Sequence, residues 1–190
     1  MKKEYSRRSE IYISLSVISL IFNVIASCQF LEQEYFGNNY FTLIGAFPFI
    51  VLVVASILMN YRNKRKVLAG AVQLSNAVVL FIGLFFEGIY IVPNAFYAFW
   101  NKVFNSVDLA AYAMLIILIV AFLAVFAAFL KNSFWFSLCC ALNALMFLLI
   151  FIWIIASKSL LKCDYSFSVA YLLFYVSEFL LSIDLQNDRV

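Results

Sequence analysis

The sequence predicts an all-α fold, a bundle of six transmembrane helices that forms a single domain over residues 1–190. Two observations lead to this class. Hydrophobic residues make up 66% of the chain and charged residues only 12%, whereas soluble domains average about half apolar and about a quarter charged residues. In addition, six apolar runs are each near or above the ~20 residues that a helix needs to cross the hydrocarbon core. The segments between them are too short to bury a core of their own.

The six predicted spans follow one another closely. In chain order they cover residues 11–31, 41–60, 67–92, 109–130, 134–156 and 167–185. The first follows a charged start like that of a signal peptide. Its apolar run exceeds the ~7–15 residues of a signal sequence and no cleavage site follows, so we expect it to remain as a helix. Only Lys131, Asn132 and Ser133 separate the fourth span from the fifth, which predicts a tight helical hairpin.

Lys and Arg residues predict the orientation. With a cytoplasmic amino terminus, ten of the 13 Lys and Arg residues lie on the cytoplasmic side and three on the other. Because cytoplasmic loops carry an excess of these residues, we expect both termini to be cytoplasmic. Arg62, Lys64, Arg65 and Lys66 separate the second and third spans. This cluster sets the topology, or it binds a protein partner or anionic lipid headgroups.

The segment 94–107 differs from the other loops. Aromatic residues and valines recur at every third or fourth position, including Phe96, Trp100 and Phe104, which is the pattern of one helical face. Because the segment is too short to span and rich in aromatics, it predicts a helix that lies in the outer membrane interface. A cap folded over the outer mouth of the bundle is the alternative.

Polar residues line one face of three predicted spans at spacings of three and four. In the first span they are Tyr12, Ser16, Ser19, Asn23 and Ser27. In the third span they are Lys66, Gly70, Gln73, Asn76, Gly83 and Glu87. In the sixth span they are Ser168, Tyr171, Tyr175, Glu178 and Ser182. Because an unpaired polar group in lipid costs kilocalories per mole, we expect each stripe to face another helix or water. The stripes then form a polar seam inside the bundle.

Glu178 is the strongest functional candidate in that seam, because a carboxyl group inside a span is costly enough to mark a functional site by default. We expect it to be protonated, hydrogen bonded to Tyr175 or an asparagine, or paired with a cation across a subunit boundary. The alternative is that it reaches the inner interface and only orders the bundle. Tyr171 and Tyr175 are predicted to pack through their rings, with ligand contact as the alternative. Gln73 joins the seam from the third span.

Three asparagines, Asn23, Asn76 and Asn143, lie on spans that run in the same direction. At about 1.5 Å per residue they are about 14–18 Å from the inner ends of their spans, near the midplane of a ~30 Å core. They are predicted to join helices through interhelical hydrogen bonds, worth about 0.6–2 kcal/mol for each residue. The alternative is a shared belt of amides that lines a solute or ion path.

Small residues predict where helices approach closely. The fourth span places alanines on one side, at Ala110, Ala113, Ala121, Ala124 and Ala128. The second span carries Gly45, Pro48 and Ala55 in the same way. Small side chains let membrane helices gain close backbone contact, so these faces are expected to pack. Pro48 is expected to kink the second helix.

The residue types exclude several classes of function. Histidine is absent, and the four cysteines show no Cys-x-x-Cys spacing, which argues against a catalytic base, a metal site and a redox centre. The chain has no nucleophile-elbow motif and no phosphate-binding glycine motif. We therefore expect no enzyme, no cofactor, no metal and no direct binding of nucleic acid.

Two classes of function remain. The preferred one is a membrane subunit, in contact with membrane lipids, that acts as an anchor, sensor or scaffold. It would form homo-oligomers through its small and polar stripes and engage a cytoplasmic protein through residues 61–66. Its size is similar to that of subunits of bacterial systems that respond to envelope stress or phage, which suggests the bacterial inner membrane. The alternative is a small-solute transporter component or an ion or proton channel. Its polar path would be lined by spans one, three and six, with segment 94–107 as a lid.

Overall fold

A computed structural model describes residues 2–31, 45–58, 65–85, 109–130, 132–156 and 162–187. These residues form six α-helices and no strand, which confirms the all-α class. The helices are α1 Lys2–Leu31, α2 Phe47–Leu58, α3 Arg65–Phe85, α4 Leu109–Phe129, α5 Ser133–Ala156 and α6 Lys162–Asn187. Each helix falls on one of the six apolar runs of the sequence.

Some helix ends differ from the predicted spans. α1 begins at Lys2 rather than near residue 11, because the Lys, Arg and Glu residues before the apolar run are good helix formers and continue the helix. α2 begins at Phe47, and the kink predicted at Pro48 stays a prediction, because residues 41–44 lie outside the described part of the chain. The proline lies in the first helical turn, where its missing N–H costs nothing. The predicted segment 94–107 lies outside the described residues.

The six helices pack as a closed ring in chain order. Each helix packs against the next one along the chain, and α6 returns to pack along α1. α6 also reaches α3 across the ring. The Tyr12 hydroxyl donates to the Leu180 carbonyl at 3.5 Å and the Ser19 hydroxyl to the Ala170 carbonyl at 2.7 Å, so α1 and α6 are antiparallel. α6 therefore packs against α1 and α5 and also contacts α3 across the ring.

Close contact between α3 and α4 depends on small residues, as the sequence predicts. Ala121, Ala124 and Ala128 of α4 are buried. A Cβ atom added to Gly70 of α3 would lie 3.5 Å from the Cβ atom of Ala128, which is ordinary van der Waals distance. The alanine stripe is therefore used inside one chain. Ala110 and Ala113 belong to the part of α4 whose side chains are not described.

Three of the helices are long and apolar enough to cross a membrane. The segments concerned are Glu10–Gln29 of α1, Ser133–Ile152 of α5 and Tyr165–Ile183 of α6. The other three helices contribute shorter apolar segments, Phe47–Leu58, Val67–Ile82 and Leu115–Phe129. By length and composition, the described helices are those of a membrane-associated protein.

The described outer surface is apolar over most of its length. Among the side chains that are described as exposed, the polar ones are Glu10, Ser14 and Asn132, beside the thiol of Cys28. Glu10 and Ser14 lie in the first half of α1, and Asn132 directly precedes α5. Large aliphatic and aromatic side chains occupy nearly all other exposed positions. Such a surface suits hydrocarbon and does not suit water.

Candidate functional site

The polar stripes of the sequence lie inside the ring. In α1 the buried members are Tyr12, Ser16, Ser19, Asn23 and Ser27. In α6 they are Ser168, Tyr171, Tyr175, Glu178 and Ser182. In α3 they are Gly70, Gln73 and Asn76, whereas the side chains of Lys66, Gly83 and Glu87 are outside the described part. The seam is thus enclosed by helices of a single chain.

Helices α3 and α6 meet through two pairs of polar side chains. The Nε2 atom of Gln73 donates to the Oε2 atom of Glu178 at 3.4 Å. One turn along α3, the Nδ2 atom of Asn76 donates to the hydroxyl oxygen of Tyr175 at 2.6 Å. The sequence numbers rise on one helix as they fall on the other, so α3 is antiparallel to α6. Glu178 is therefore bonded to a glutamine, neither to Tyr175 nor to an asparagine.

Helix α5 closes this group from a third side. The Nε2 atom of Gln73 also lies 3.7 Å from the sulfur of Cys140. Asn143 follows Cys140 by one turn and precedes Phe147, whose ring stacks on that of Tyr175 with centroids 5.6 Å apart. Asn143 is therefore held at the level of the two polar pairs. We call Gln73, Asn76, Cys140, Asn143, Tyr175 and Glu178 the polar cluster.

Several atoms of the polar cluster are buried without a hydrogen-bond partner. Four of them are oxygens, namely Gln73 Oε1, Asn76 Oδ1, Asn143 Oδ1 and Glu178 Oε1. The Nδ2 atom of Asn143 is also unpaired. An unsatisfied buried polar group costs about 1–3 kcal/mol. These atoms make the polar cluster a candidate site for water or a solute, since buried polar groups are normally hydrogen bonded.

Charge in the polar cluster is also unbalanced. Glu178 is fully buried. The structure describes side chains in residues 10–29, 45–58, 67–82, 115–130, 132–152, 155 and 165–183, and none of these is Lys or Arg. A buried carboxylate without a counter-charge is far more costly than an unpaired neutral group. The carboxyl group is therefore either neutralised by a proton or balanced by a positive charge that the described part of the chain does not supply.

A group of aromatic rings lies next to the polar cluster on α6. Phe147 stacks on Tyr171 with centroids 4.8 Å apart and planes at 14°. Phe49 meets the ring of Tyr171 edge-on at 5.0 Å, and Phe167 lies 4.6 Å from it. Phe174 completes the group, 5.2 Å from Phe49. We call these five residues the aromatic cluster. It packs through its rings, yet the Tyr171 hydroxyl is buried without a partner.

Asn23 is separated from the other two asparagines. Ser19 bonds to Ala170, so Asn23, one turn further along α1, lies near the level of Ser168 on the antiparallel α6. Tyr175, the partner of Asn76, is about 10 Å away along α6 at about 1.5 Å per residue. The structure therefore groups Asn76 with Asn143 and leaves Asn23 at a different depth. Of the three amides, only that of Asn76 makes a side-chain bond to another helix among the described residues.

The basic segment of the sequence contributes little to the described structure. Arg62 and Lys64 lie outside the described residues. Arg65 and Lys66 begin α3, but their side chains are not described. Their role toward a partner or lipid headgroups stays a prediction.

No protein-family model matches the chain, and no curated protein or solved structure is significantly similar to it. The site must therefore be interpreted from its own chemistry. Among the described residues, no three His, Cys, Asp or Glu side chains come together in a way that would hold a metal ion through those residue types. The polar cluster instead offers one carboxyl group, three amides, a phenol and a thiol.

The α5 contribution to the site was missed by sequence reasoning. From the fifth span, only Asn143 was predicted to belong to the site. A signal was present, because Phe136, Cys140, Asn143 and Phe147 follow each other at spacings of four, three and four, and all four are buried. Because two of these four residues are phenylalanines and one is a cysteine, the stripe does not stand out as a polar pattern in the sequence.

Proposed function

We propose that all six helices cross the bilayer, with both termini in the cytoplasm, and that the protein is a multi-pass protein of the bacterial inner membrane. The packing of the three shorter apolar helices between the three long ones supports this, since all six belong to one ring. The apolar outer surface supports it as well. The excess of Lys and Arg on one side supports the orientation.

Single cysteines introduced into a cysteine-free variant test this topology. A membrane-impermeant maleimide added to intact cells is expected to label Asn38→Cys, in the first predicted outer loop. It is expected not to label Lys64→Cys until the membrane is opened. Labelling of Lys64→Cys in sealed cells would contradict the orientation.

We propose further that the protein is a small-solute transporter component or an ion or proton channel, with a polar path through the ring that α1, α3 and α6 line and to which α5 contributes at the polar cluster. The observation that carries this proposal is Glu178, a buried carboxyl group with an unpaired oxygen and no basic side chain among the described ones. A group of this kind is suited to bind a proton or another small cation. It is poorly suited to hold helices together.

The geometry favours this function over the membrane-subunit function that the sequence favoured. The subunit hypothesis used the small and polar stripes for oligomerisation. Gly70 and Ala128 are instead in contact within one chain, and Gln73 and Glu178 face each other inside the ring. The described residues of both stripes are therefore in contact within one chain and are not available to a second copy of it. The described outer surface offers a partner mainly aliphatic and aromatic side chains.

The subunit function remains a second proposal because of the cations at residues 61–66 and in the first eight residues. Such clusters suit an acidic cytoplasmic protein or anionic lipid. Copurification from native membranes tests it. A stoichiometric companion that is lost when Arg62, Lys64, Arg65 and Lys66 are changed to Gln would support the subunit function. A homogeneous particle without a companion would contradict it.

A flux assay tests the proposed transport function. The purified protein is reconstituted into liposomes, and movement of protons, alkali cations and small organic cations is measured against empty liposomes. Flux of at least one of these species is expected, and Glu178→Gln is expected to lower it by about tenfold or more, as loss of roughly 1.4 kcal/mol of interaction predicts. Ser56→Ala is the matched control. Ser56 is buried, but its hydroxyl only donates to Leu52 of its own helix. Equal flux in Glu178→Gln, or no flux of any species, would contradict the proposal.

A further inference from the structure

The polar cluster has the chemistry of a binding site for a metal cation of low charge. Four buried side-chain oxygens in it have no donor: three amide oxygens and one carboxyl oxygen. They come from α3, α5 and α6, so one ligand placed among them would join three helices. We propose that the polar cluster binds an alkali cation, Na⁺ or K⁺. This inference rests on the proposed function and names the ion that occupies the path.

The oxygen types favour an alkali cation over a transition metal. Carboxylate and amide oxygens are hard ligands, the kind that replace the water shell of hard cations. Transition metals prefer imidazole or thiolate. The chain has no histidine. The one thiol of the polar cluster, that of Cys140, already lies 3.7 Å from the amide nitrogen of Gln73.

The charge favours a monovalent ion. When ionised, Glu178 supplies one negative charge, and the other oxygens of the polar cluster are neutral. One monovalent cation balances that charge, whereas a divalent cation would leave an excess positive charge in an apolar interior. An anion is excluded, because the described side chains include no Lys or Arg to balance it beside the carboxyl group.

A proton alone explains less of the geometry. A proton on Glu178 removes the charge, but it gives the carboxyl group one donor and therefore satisfies one oxygen at most. At least two of the amide oxygens of Gln73, Asn76 and Asn143 would still lack partners. A metal cation balances the charge of the Glu178 carboxylate and is coordinated by the amide oxygens at the same time. That difference is the reason for choosing the alkali cation.

The aromatic cluster helps to define where the ion can reside. The Phe147 ring stacks on both Tyr171 and Tyr175, at 4.8 and 5.6 Å. On the side of Tyr175 that faces away from Glu178 along α6, the buried side chains near Phe147 are mainly the phenyl rings of the aromatic cluster. An alkali cation gains less from these rings than from the oxygens of the polar cluster. The bound ion is therefore placed on the Glu178 side of Phe147.

The experiment measures binding without transport. Thermal unfolding of the purified protein in detergent is recorded in NaCl, KCl and choline chloride at equal concentration. NaCl or KCl is expected to raise the melting temperature above that in choline chloride, since a ligand that binds only the folded state stabilises it. The shift is expected to disappear in Glu178→Gln and in Asn143→Leu, and to persist in Ser56→Ala.

Two variants, Glu178→Gln and Asn143→Leu, are used so that the test does not depend on the folding of either one. Glu178→Gln keeps the size of the side chain, and Asn143→Leu removes an amide that makes no hydrogen bond, so either one can be judged by itself if the other does not fold. Equal melting temperatures in all three salts would overturn the proposal. So would a NaCl or KCl shift that survives in a folded variant.

The result also separates this inference from the proposed function. Proton flux that is lost in Glu178→Gln, without any alkali shift, would overturn the alkali site and leave transport standing. An alkali shift that depends on Glu178 and Asn143, without flux of any tested species, would support the site and contradict transport.

Discussion

The polar cluster and the aromatic cluster are neighbours on α6, yet their buried tyrosines have opposite surroundings. Tyr175 and Tyr171 are one helical turn apart, and both are fully buried. The Tyr175 hydroxyl accepts a hydrogen bond from Asn76 at 2.6 Å. The Tyr171 hydroxyl has no partner, and its ring is surrounded by those of Phe49, Phe147 and Phe167. One helix therefore carries a polar site and a packing site side by side.

From this difference we infer that the aromatic cluster contributes mainly to stability and the polar cluster mainly to function. Stacked and edge-on rings contribute dispersion contact that does not depend on a ligand. The polar cluster instead contains several atoms without a partner among the described residues, and each unsatisfied buried polar group costs free energy of folding. We expect variants of the aromatic cluster to change stability, and variants of the polar cluster to change binding. The predictions below test that division, beginning with the largest expected effect.

Phe147→Ala is expected to cause the largest loss of stability. Phe147 is fully buried and joins the two clusters through its stacks on Tyr171 and Tyr175. Truncating a buried phenylalanine costs about 3–5 kcal/mol. Leu145→Ala on the same helix is the control, because Leu145 is 50% exposed. Unfolding in mixed detergent should show a large loss for Phe147→Ala and a small one for Leu145→Ala; comparable losses would contradict the role of the stack.

Asn143→Leu is expected to stabilise the protein in choline chloride by about 1–3 kcal/mol, the cost of an unsatisfied buried group. Neither amide atom of Asn143 has a partner among the described residues. The same unfolding assay measures the gain. Asn76→Leu is the contrasting variant, because it breaks the hydrogen bond to Tyr175. A loss of stability in Asn143→Leu as large as that in Asn76→Leu would mean that Asn143 is bonded.

The two tyrosines are expected to respond differently to loss of the hydroxyl. Tyr175→Phe removes the acceptor of Asn76, which should cost about 1–3 kcal/mol because the amide is left unpaired. Tyr171→Phe removes an unpaired hydroxyl and should leave stability unchanged or raise it by about 1 kcal/mol. Thermal unfolding of both variants in parallel measures this contrast. The reverse order would refute the division between the clusters.

Gly70→Ala is expected to have the smallest effect. A Cβ atom there would lie 3.5 Å from the Cβ of Ala128, an ordinary contact, and replacing glycine by alanine in a helix gains up to about 1 kcal/mol. Gly70→Leu should instead force α3 and α4 apart. A small gain for alanine with a clear loss for leucine is the expected pattern in the unfolding assay. Loss of folding with alanine would show that the two helices are closer than described.

The sequence predicted the helices and the buried stripes well, because both follow from apolar length and polar spacing. The stripe of α6 stands out since Ser168, Tyr171, Tyr175 and Glu178 follow one another at spacings of three and four, and all four are buried. Helix ends were predicted less well. Polar residues such as Lys2 continue a helix beyond the apolar run, and α2 begins at Phe47, six residues after the start of its predicted span.

The partners of the stripes were not predictable from spacing alone. Depth counted from the apolar ends put Asn23, Asn76 and Asn143 at one level. Helices slide along one another to fit their side chains, so equal depth in sequence does not mean equal depth in the ring. The register of α1 on α6, fixed by Ser19 and Ala170, moves Asn23 away from the other two. The contribution of α5 to the site was not predicted, because most of the buried side chains of α5 are aromatic or aliphatic.

The central claim is that the carboxyl group of Glu178 lies in the interior and meets a cation there. Infrared difference spectroscopy tests it most directly, by exchanging choline for Na⁺ or K⁺ over the reconstituted protein. The exchange is expected to change carboxyl absorption in the unaltered protein and in Ser56→Ala, and to leave no such change in Glu178→Gln. Identical difference spectra for the unaltered protein and Glu178→Gln would contradict the claim.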